Sequence, residues 1–211
     1  MTLPKPIDSG QPPLAADILD FWLGDGVALG WPSGDLNKRW FSGGAALDEE
    51  VRVRFGQAVH QALQGGLTDW EKPLHSRLAL VILLDQFSRN VFRGAAQAFD
   101  GDARALQLTL HTLEQRQDRL LPWVGRVFMY MPLMHAENLA LQNECTTRFE
   151  QLVADAPPDL KERLQGNLDF ARQHRAIIEK FGRFPYRNAV LGRSNTPEED
   201  EFLLKGPRFG Q

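Results

Sequence analysis

The chain has 211 residues, 43% of them hydrophobic and 24% charged, with a formal net charge of −3 at pH 7 and one cysteine. A chain of this length buries roughly 70% of the surface its unfolded form exposes, so its core needs no metal or disulfide staple, and the lone Cys145 excludes an intrachain bridge. The longest apolar run, Leu78 to Leu84, has seven residues against the ~20 of a membrane-spanning helix; with no signal-like N-terminal stretch and a slightly acidic balance, the expectation is a cytoplasmic protein with no membrane partner and no broad nucleic-acid surface.

Residues 1–13 hold four prolines with Ser9 and Gly10 and read as a flexible arm, leaving 14–211 as a single helical domain. Ala15 to Leu23 reads as a first helix, with Ile18, Leu19, Phe21 and Trp22 on its apolar face and Gly24 as its stop. Gly24 to Gly44 holds too many glycines for regular structure and reads as a loop pinned by Trp31, Trp40 and Phe41. Asp48 opens a second helix whose Val51, Phe55, Val59 and Leu63 form one stripe, ended by Gly65 and Gly66. A third begins near Pro73, and its run from Arg77 to Leu84 has no polar face, which predicts burial on all sides.

Asp102 is placed to cap a fourth helix with Ala103, Leu106, Leu110 and Leu113 inward. Val124 to Phe149 predicts a fifth, kinked or broken near Pro132, because proline removes a backbone donor and clashes one turn back. Asp159 to Phe181 is the sixth, ended by Gly182, with Leu164, Leu168, Ala171, Ile178 and Phe181 inward. Thr196-Pro197-Glu198-Glu199 predicts a last short helix with Pro in its first turn, its acidic run solvated. No stretch alternates with period 2, so the fold class is all-α, built from about seven or eight helices in antiparallel pairs.

The common chemical signatures are absent. There is no GxxxxGK[ST] loop and no GxGxxG, no GxSxG elbow and no HExxH. His135-Ala136-Glu137 has the spacing of the deaminase HxE, yet the PCxxC half is missing. The five histidines, at 60, 75, 111, 135 and 174, are too dispersed for a metal site. Neither metal nor cofactor is expected.

Three segments instead crowd polar groups among core residues. In Leu84 to Gly94, Asp85, Gln86, Arg89, Asn90 and Arg93 are three or four apart and share one helix edge, just after a buried stretch where ionised groups need partners. In Met131 to Gln142, His135, Asn138 and Gln142 fall on one face, with Glu137 beside them. In Phe181 to Arg193, the arginines 183, 187 and 193 are interleaved with aromatics, with Asn188 directly after Arg187. Counted over the three segments, five arginines face two acids, Asp85 and Glu137. If they converge, the surplus attracts an anion; if they pair fully with one another, the segments only lock helix ends.

The runs DILDFWLG (17–24), RWF (39–41), LALVILLDQFSRNVFRG (78–94), MPLMHAENL (131–139) and FGRFPYRNAVLGRSNTPEEDEFL (181–203) resemble the bacterial domain of unknown function 924 family over nearly the whole chain. That resemblance implies an all-helical fold similar to a right-handed tetratricopeptide-repeat array, a detail that no sequence period here carries. It assigns no activity. The family reads HSED where this chain has His135-Ala136-Glu137-Asn138, and FPHRN where it has Tyr186, so a site that needs an acid at 138 or an imidazole at 186 is altered.

The expected function is binding of a small anion, or the acidic end of a peptide, by Gln86, Arg89, Asn90, Arg93, Asn138, Arg183, Arg187, Asn188 and Arg193. A hydrolase or transferase using His135 with Glu137 or Asp85 is the alternative. A purely structural or protein-interaction module with self-paired arginines is a third reading, and an RNA-binding helical repeat is the least favoured.

Overall fold

The run from Leu78 to Leu84 is helical and inaccessible to solvent over its whole length. It belongs to a rod made of three consecutive pieces, α5 (Leu74–Ile82), a π turn (Leu83–Phe87) and α6 (Ser88–Val91). Every other long helix in the first two thirds of the chain packs around this rod: α1 (Ala15–Leu23), α4 (Gly44–Leu63), α7 (Asp102–Glu114) and α8 (Trp123–Met134). A helix apolar all round is stable only when neighbours cover every side of it.

The computed structural model describes residues 14–207, so the arm predicted over 1–13 lies outside the described residues. Two short helices, α2 (Gly26–Leu29) and α3 (Asn37–Ser42), follow α1, and α9 (Leu139–Asp155), α10 (Pro158–Phe181) and α11 (Pro197–Lys205) complete the set. Eight of the helices have seven or more residues, and no strand occurs among the described residues. The all-α class holds. The α9/α10 pair, joined through Ala156 and Pro157, packs side by side as its short connection requires. The main core is continuous from α1 to α10, and a satellite cluster of Ile177, Ile178 and Phe184 is covered by Phe181, Tyr186 and Phe202.

Several local expectations are met. Gly24 and Gly182 end α1 and α10 at φ of 56° and 70°, and Thr196 caps α11 in a reciprocal box with Glu199. The α4 stripe is buried at Val51, Phe55 and Val59, although the helix starts at Gly44 and not at Asp48.

Others are corrected. The segment Gly24 to Gly44 contains two helices, held by the aromatics it was expected to use: Trp40 stands edge-on to Trp31 and Phe128, and its Nε1 donates to the Trp22 carbonyl at 2.7 Å. The inward face of α7 is Ala105, Leu108, Thr109, Thr112 and Leu113, while Leu110 is exposed. Thr109 and Thr112 go inward because their hydroxyls donate to the Met129 and Leu108 carbonyls, which removes the cost of burying them. Pro132 lies inside α8, and the break falls later, at 135–138. There the Gln142 amide donates to the carbonyls of Met134 and Ala136 and closes the end of α8, so His135, Asn138 and Gln142 share no helix face.

The π turn is wedged against the start of α7. A Cβ on Gly101 would lie 2.3 Å from the Leu84 carbonyl oxygen, a contact with backbone that no side-chain rotation relieves. Replacing Gly101 with Ala is expected to lower stability by about 1–3 kcal/mol, the usual cost of overpacking, measured by urea unfolding. An unchanged midpoint would show that the approach of α7 to the π turn is not tight.

Candidate functional site

A π turn inserts one residue into a helix and rotates the residues beyond it, and such turns recur at functional sites. Here it sets Asp85 into the interior, 1% exposed, facing the end of α8. Its Oδ1 is 2.7 Å from His135 Nδ1, its Oδ2 accepts from Gln86 Nε2, and the Arg89 guanidinium lies 3.6 Å from Oδ1. Burial by itself would raise the Asp85 carboxyl, but the charges of His135 and Arg89 and the two hydrogen bonds outweigh it and hold the group well below the usual carboxylate range. An ionised carboxylate only accepts, so Nδ1 of His135 carries a proton, and whenever the ring is neutral its lone pair lies on Nε2.

Beside His135 stands a second imidazole, His174 of α10, with ring centroids 6.1 Å apart. Its Nδ1 donates to the Phe170 carbonyl at 2.8 Å. Burial, then the nearby charge of His135, pushes its pKa down to about 3, so it is neutral at working pH.

Four of the five arginines meet acids that lie outside the three polar segments. Asp102, at the start of α7 and not its cap, receives Arg89 through two hydrogen bonds of 2.9 and 3.1 Å and lies 3.6 Å from Arg187. Asp48 of α4 receives Arg93 at 2.6 and 2.9 Å and the Asn90 amide at 2.7 Å. Glu199, predicted as part of a solvated run, is 2% exposed and receives Arg183 through both oxygens. Glu137 receives Arg193 through both oxygens and the Phe184 amide, which ties α8 to the C-terminal segment and not to His135. The predicted surplus of arginine is therefore cancelled: Asp48, Asp102 and Glu199 join Asp85 and Glu137, giving five acids for five arginines.

The three segments do not converge on one cleft. Gln86, Arg89, Asn90, Arg93 and His135 line a cavity of about 590 Å³. Arg183, Arg187, Asn188 and Arg193 do not; they build the C-terminal lock, with Arg187 buried between the rings of Phe99 and Phe184 and the Asn188 amide donating to Asn195 and Glu199. Asn138 is a helix cap, its Oδ1 accepting from the Leu141 amide, which a carboxylate at this position would do equally well.

The cavity also uses residues that sequence reasoning left among the packing anchors or passed over. Trp22, Trp40, Phe41, Phe170, Met131 and Met134 make its apolar walls, and Arg39 and His174 add to its polar side. Phe41 and Phe170 stack at 6.0 Å at the exposed mouth. The signal for Arg39 was the RWF run, whose arginine was passed over beside two aromatics. Arg39 rests on the Phe21 ring and donates to the Phe21 carbonyl, and among the described residues it forms no ion pair. The wall thus carries three guanidinium groups, those of Arg39, Arg89 and Arg93, and no carboxylate. No group of histidine, cysteine and acidic side chains among the described residues could hold a metal ion.

The fold and the cavity define an all-helical protein with a mixed aromatic and basic internal site, and no helix among the described residues is long and apolar enough to cross a membrane. Residues 18–207 match the model of a family described as bacterial proteins of unknown function (DUF924), and the chain belongs to that family. It is similar to a solved structure of a protein of unknown function from Agrobacterium tumefaciens, with 37% identity and a TM-score of 0.73, covering 91% of this chain and 97% of that one. No curated protein matches it. The tetratricopeptide-like order of the helix pairs rests on the resemblance alone.

His174 generates a stability prediction with a defined sign. Its folded pKa lies below the unfolded value of 6.5, so the unfolded chain takes up a proton that the folded chain refuses, and this contribution is complete above pH 6.5 and lost as the pH falls toward about 3. Between pH 6.5 and 4.5 the wild type should lose up to about 1.4 kcal/mol per pH unit relative to His174→Phe, measured by urea unfolding at each pH. Parallel curves for the two proteins would contradict the burial of a neutral imidazole.

Proposed function

We propose that the cavity binds a small monoanion, above all a carboxylate, that carries an apolar or aromatic body, in a protein of the bacterial cytoplasm. The wall composition carries this reading: three guanidinium groups and no carboxylate, set among four aromatic side chains and two methionines. A volume near 590 Å³ is in the ordinary range for small-molecule sites, which are mostly apolar with a few placed polar groups.

The charge offered to a ligand is modest. Arg89 and Arg93 spend most of their donors on Asp102 and Asp48, which supports a singly charged ligand over a polyphosphate. Of the three wall guanidinium groups, that of Arg39 has no carboxylate partner among the described residues. The carboxylate end of a peptide offers the same chemistry. The lock formed by Arg183, Arg193, Glu137 and Glu199 takes the structural role and no ligand.

Binding is tested by thermal shift and by quenching of tryptophan fluorescence, since Trp22 and Trp40 line the cavity. Benzoate and phenylacetate should raise Tm and quench saturably, and Arg39→Gln should weaken both at least about tenfold, or ~1.4 kcal/mol. Absence of any response to carboxylates, phosphate and nucleotides, or an Arg39→Gln protein that binds as well as the wild type, would overturn the proposal.

A further inference from the structure

A cavity that only holds an anion has no use for a base, yet this one is built around a carboxylate and imidazole pair. Asp85 is buried and its Oδ1 fixes Nδ1–H of His135 at 2.7 Å. His135 lines the cavity, and its Nε2 has no hydrogen-bond partner among the described residues. The charged and titratable groups around the ring are Asp85 on the π turn, Arg89 on α6 and His174 on α10. Gln86 holds the second oxygen of Asp85, so the carboxylate cannot turn away. This is the arrangement in which a carboxylate sets the tautomer of an imidazole and supports the cation formed when the ring takes up a proton.

We infer that the cavity is a hydrolytic site in which His135 activates water against the carboxylic ester of a small apolar or aromatic acid. The inference rests on the ligand class proposed for the cavity, because the acid released is that class of anion. Water is the nucleophile: Ser42, at the mouth, is the hydroxyl side chain on the wall, and Cys145 is buried against the Tyr130 carbonyl. His135 Nε2 takes a proton from water as the oxygen bonds to the acyl carbon, and the carbonyl π pair moves onto its oxygen. The tetrahedral centre then re-forms the carbonyl and breaks the bond to the alkoxy oxygen, which takes the proton back from Nε2. Ester and water become carboxylic acid and alcohol, with His135 and Asp85 restored, and the acid ionises to solvent.

The choice of ester over phosphoester follows from the donors. An ester carbonyl is neutral in the ground state and suits the aromatic wall, and becomes an oxyanion only as the reaction proceeds. One guanidinium outside any ion pair, that of Arg39, matches one developing charge. A phosphoester brings its charge from the start and asks for the donors that Arg89 and Arg93 have given to Asp102 and Asp48. In this scheme His135 is the catalytic residue and Asp85 a positioning residue.

The test uses the full chain with p-nitrophenyl phenylacetate and p-nitrophenyl butyrate as probes, following release of nitrophenolate, with phenylacetate binding read in parallel by tryptophan quenching. Saturable hydrolysis is expected, with kcat reduced ~100-fold or more in His135→Gln while phenylacetate still quenches and still raises Tm. Asp85→Asn should lower kcat with KM unchanged, because the amide donates to Nδ1 and moves the proton to Nε2, a tautomer change visible in the 15N spectrum of the imidazole. If Asp85→Asn does not fold, His135→Gln decides alone. Phenylacetate binding without hydrolysis above buffer overturns this inference and leaves the binding site standing. Hydrolysis undiminished in His135→Gln overturns it as well, and absence of both binding and hydrolysis overturns the two together.

Discussion

The placement of one carboxylate in the middle of an apolar rod governs the rest of this structure. Asp85 comes directly after seven consecutive apolar residues and is as buried as they are, so its charge is tolerated only with partners in contact. Each partner commits an element. His135 fixes the end of α8 against the π turn, Arg89 brings the rod to Asp102, and Gln86 closes the remaining oxygen. A carboxylate in that position with one partner removed would cost about 3–5 kcal/mol, a sum comparable to the net stability of many domains.

From Asp102 the constraint passes outward. It holds Arg89 and stands beside Arg187, which is sandwiched between Phe99 and Phe184. Phe184 in turn gives its amide to Glu137, which holds Arg193, and Asn188 with Arg183 gathers Glu199 from the last helix. The chain of pairs runs from the core to the C-terminal segment and leaves the acids behind the arginines, so that the cavity wall shows guanidinium faces while the network as a whole is balanced. That is how an acidic protein can present a basic interior surface without an unpaired buried charge.

How much of this could be read from the residues depended on the range of the interaction concerned. Caps and stops such as Gly24, Gly182 and Thr196 are decided within four residues, and they were legible. So was the α4 stripe, because Val51, Phe55 and Val59 lie one turn apart on one helix. The α7 stripe was misplaced since the inward turn of Thr109 depends on a carbonyl of α8, and the break in α8 was placed at Pro132 when the Gln142 amide, from the next helix, decides where it falls. For the candidate site, Asp85, Gln86, Arg89, Asn90, Arg93 and His135 were found as polar groups in apolar company. Arg39, Phe170 and His174 were missed, because each sits in an ordinary amphipathic or aromatic setting along the chain and meets the others only across the fold.

The sequence alone determined that the fold is all-α, where α1 and α10 begin and end, that the rod at 78–84 is buried, and that the polar residues flanking it need partners. These follow from backbone propensity, periodicity and the cost of desolvating charge, which are local or nearly so. The tertiary structure alone decided which acids answer the arginines and which arginines face the cavity. Asp48, Asp102 and Glu199 lie 45, 13 and 16 residues from the arginines they hold, and Coulombic attraction acts through space, with no imprint on the order of residues between.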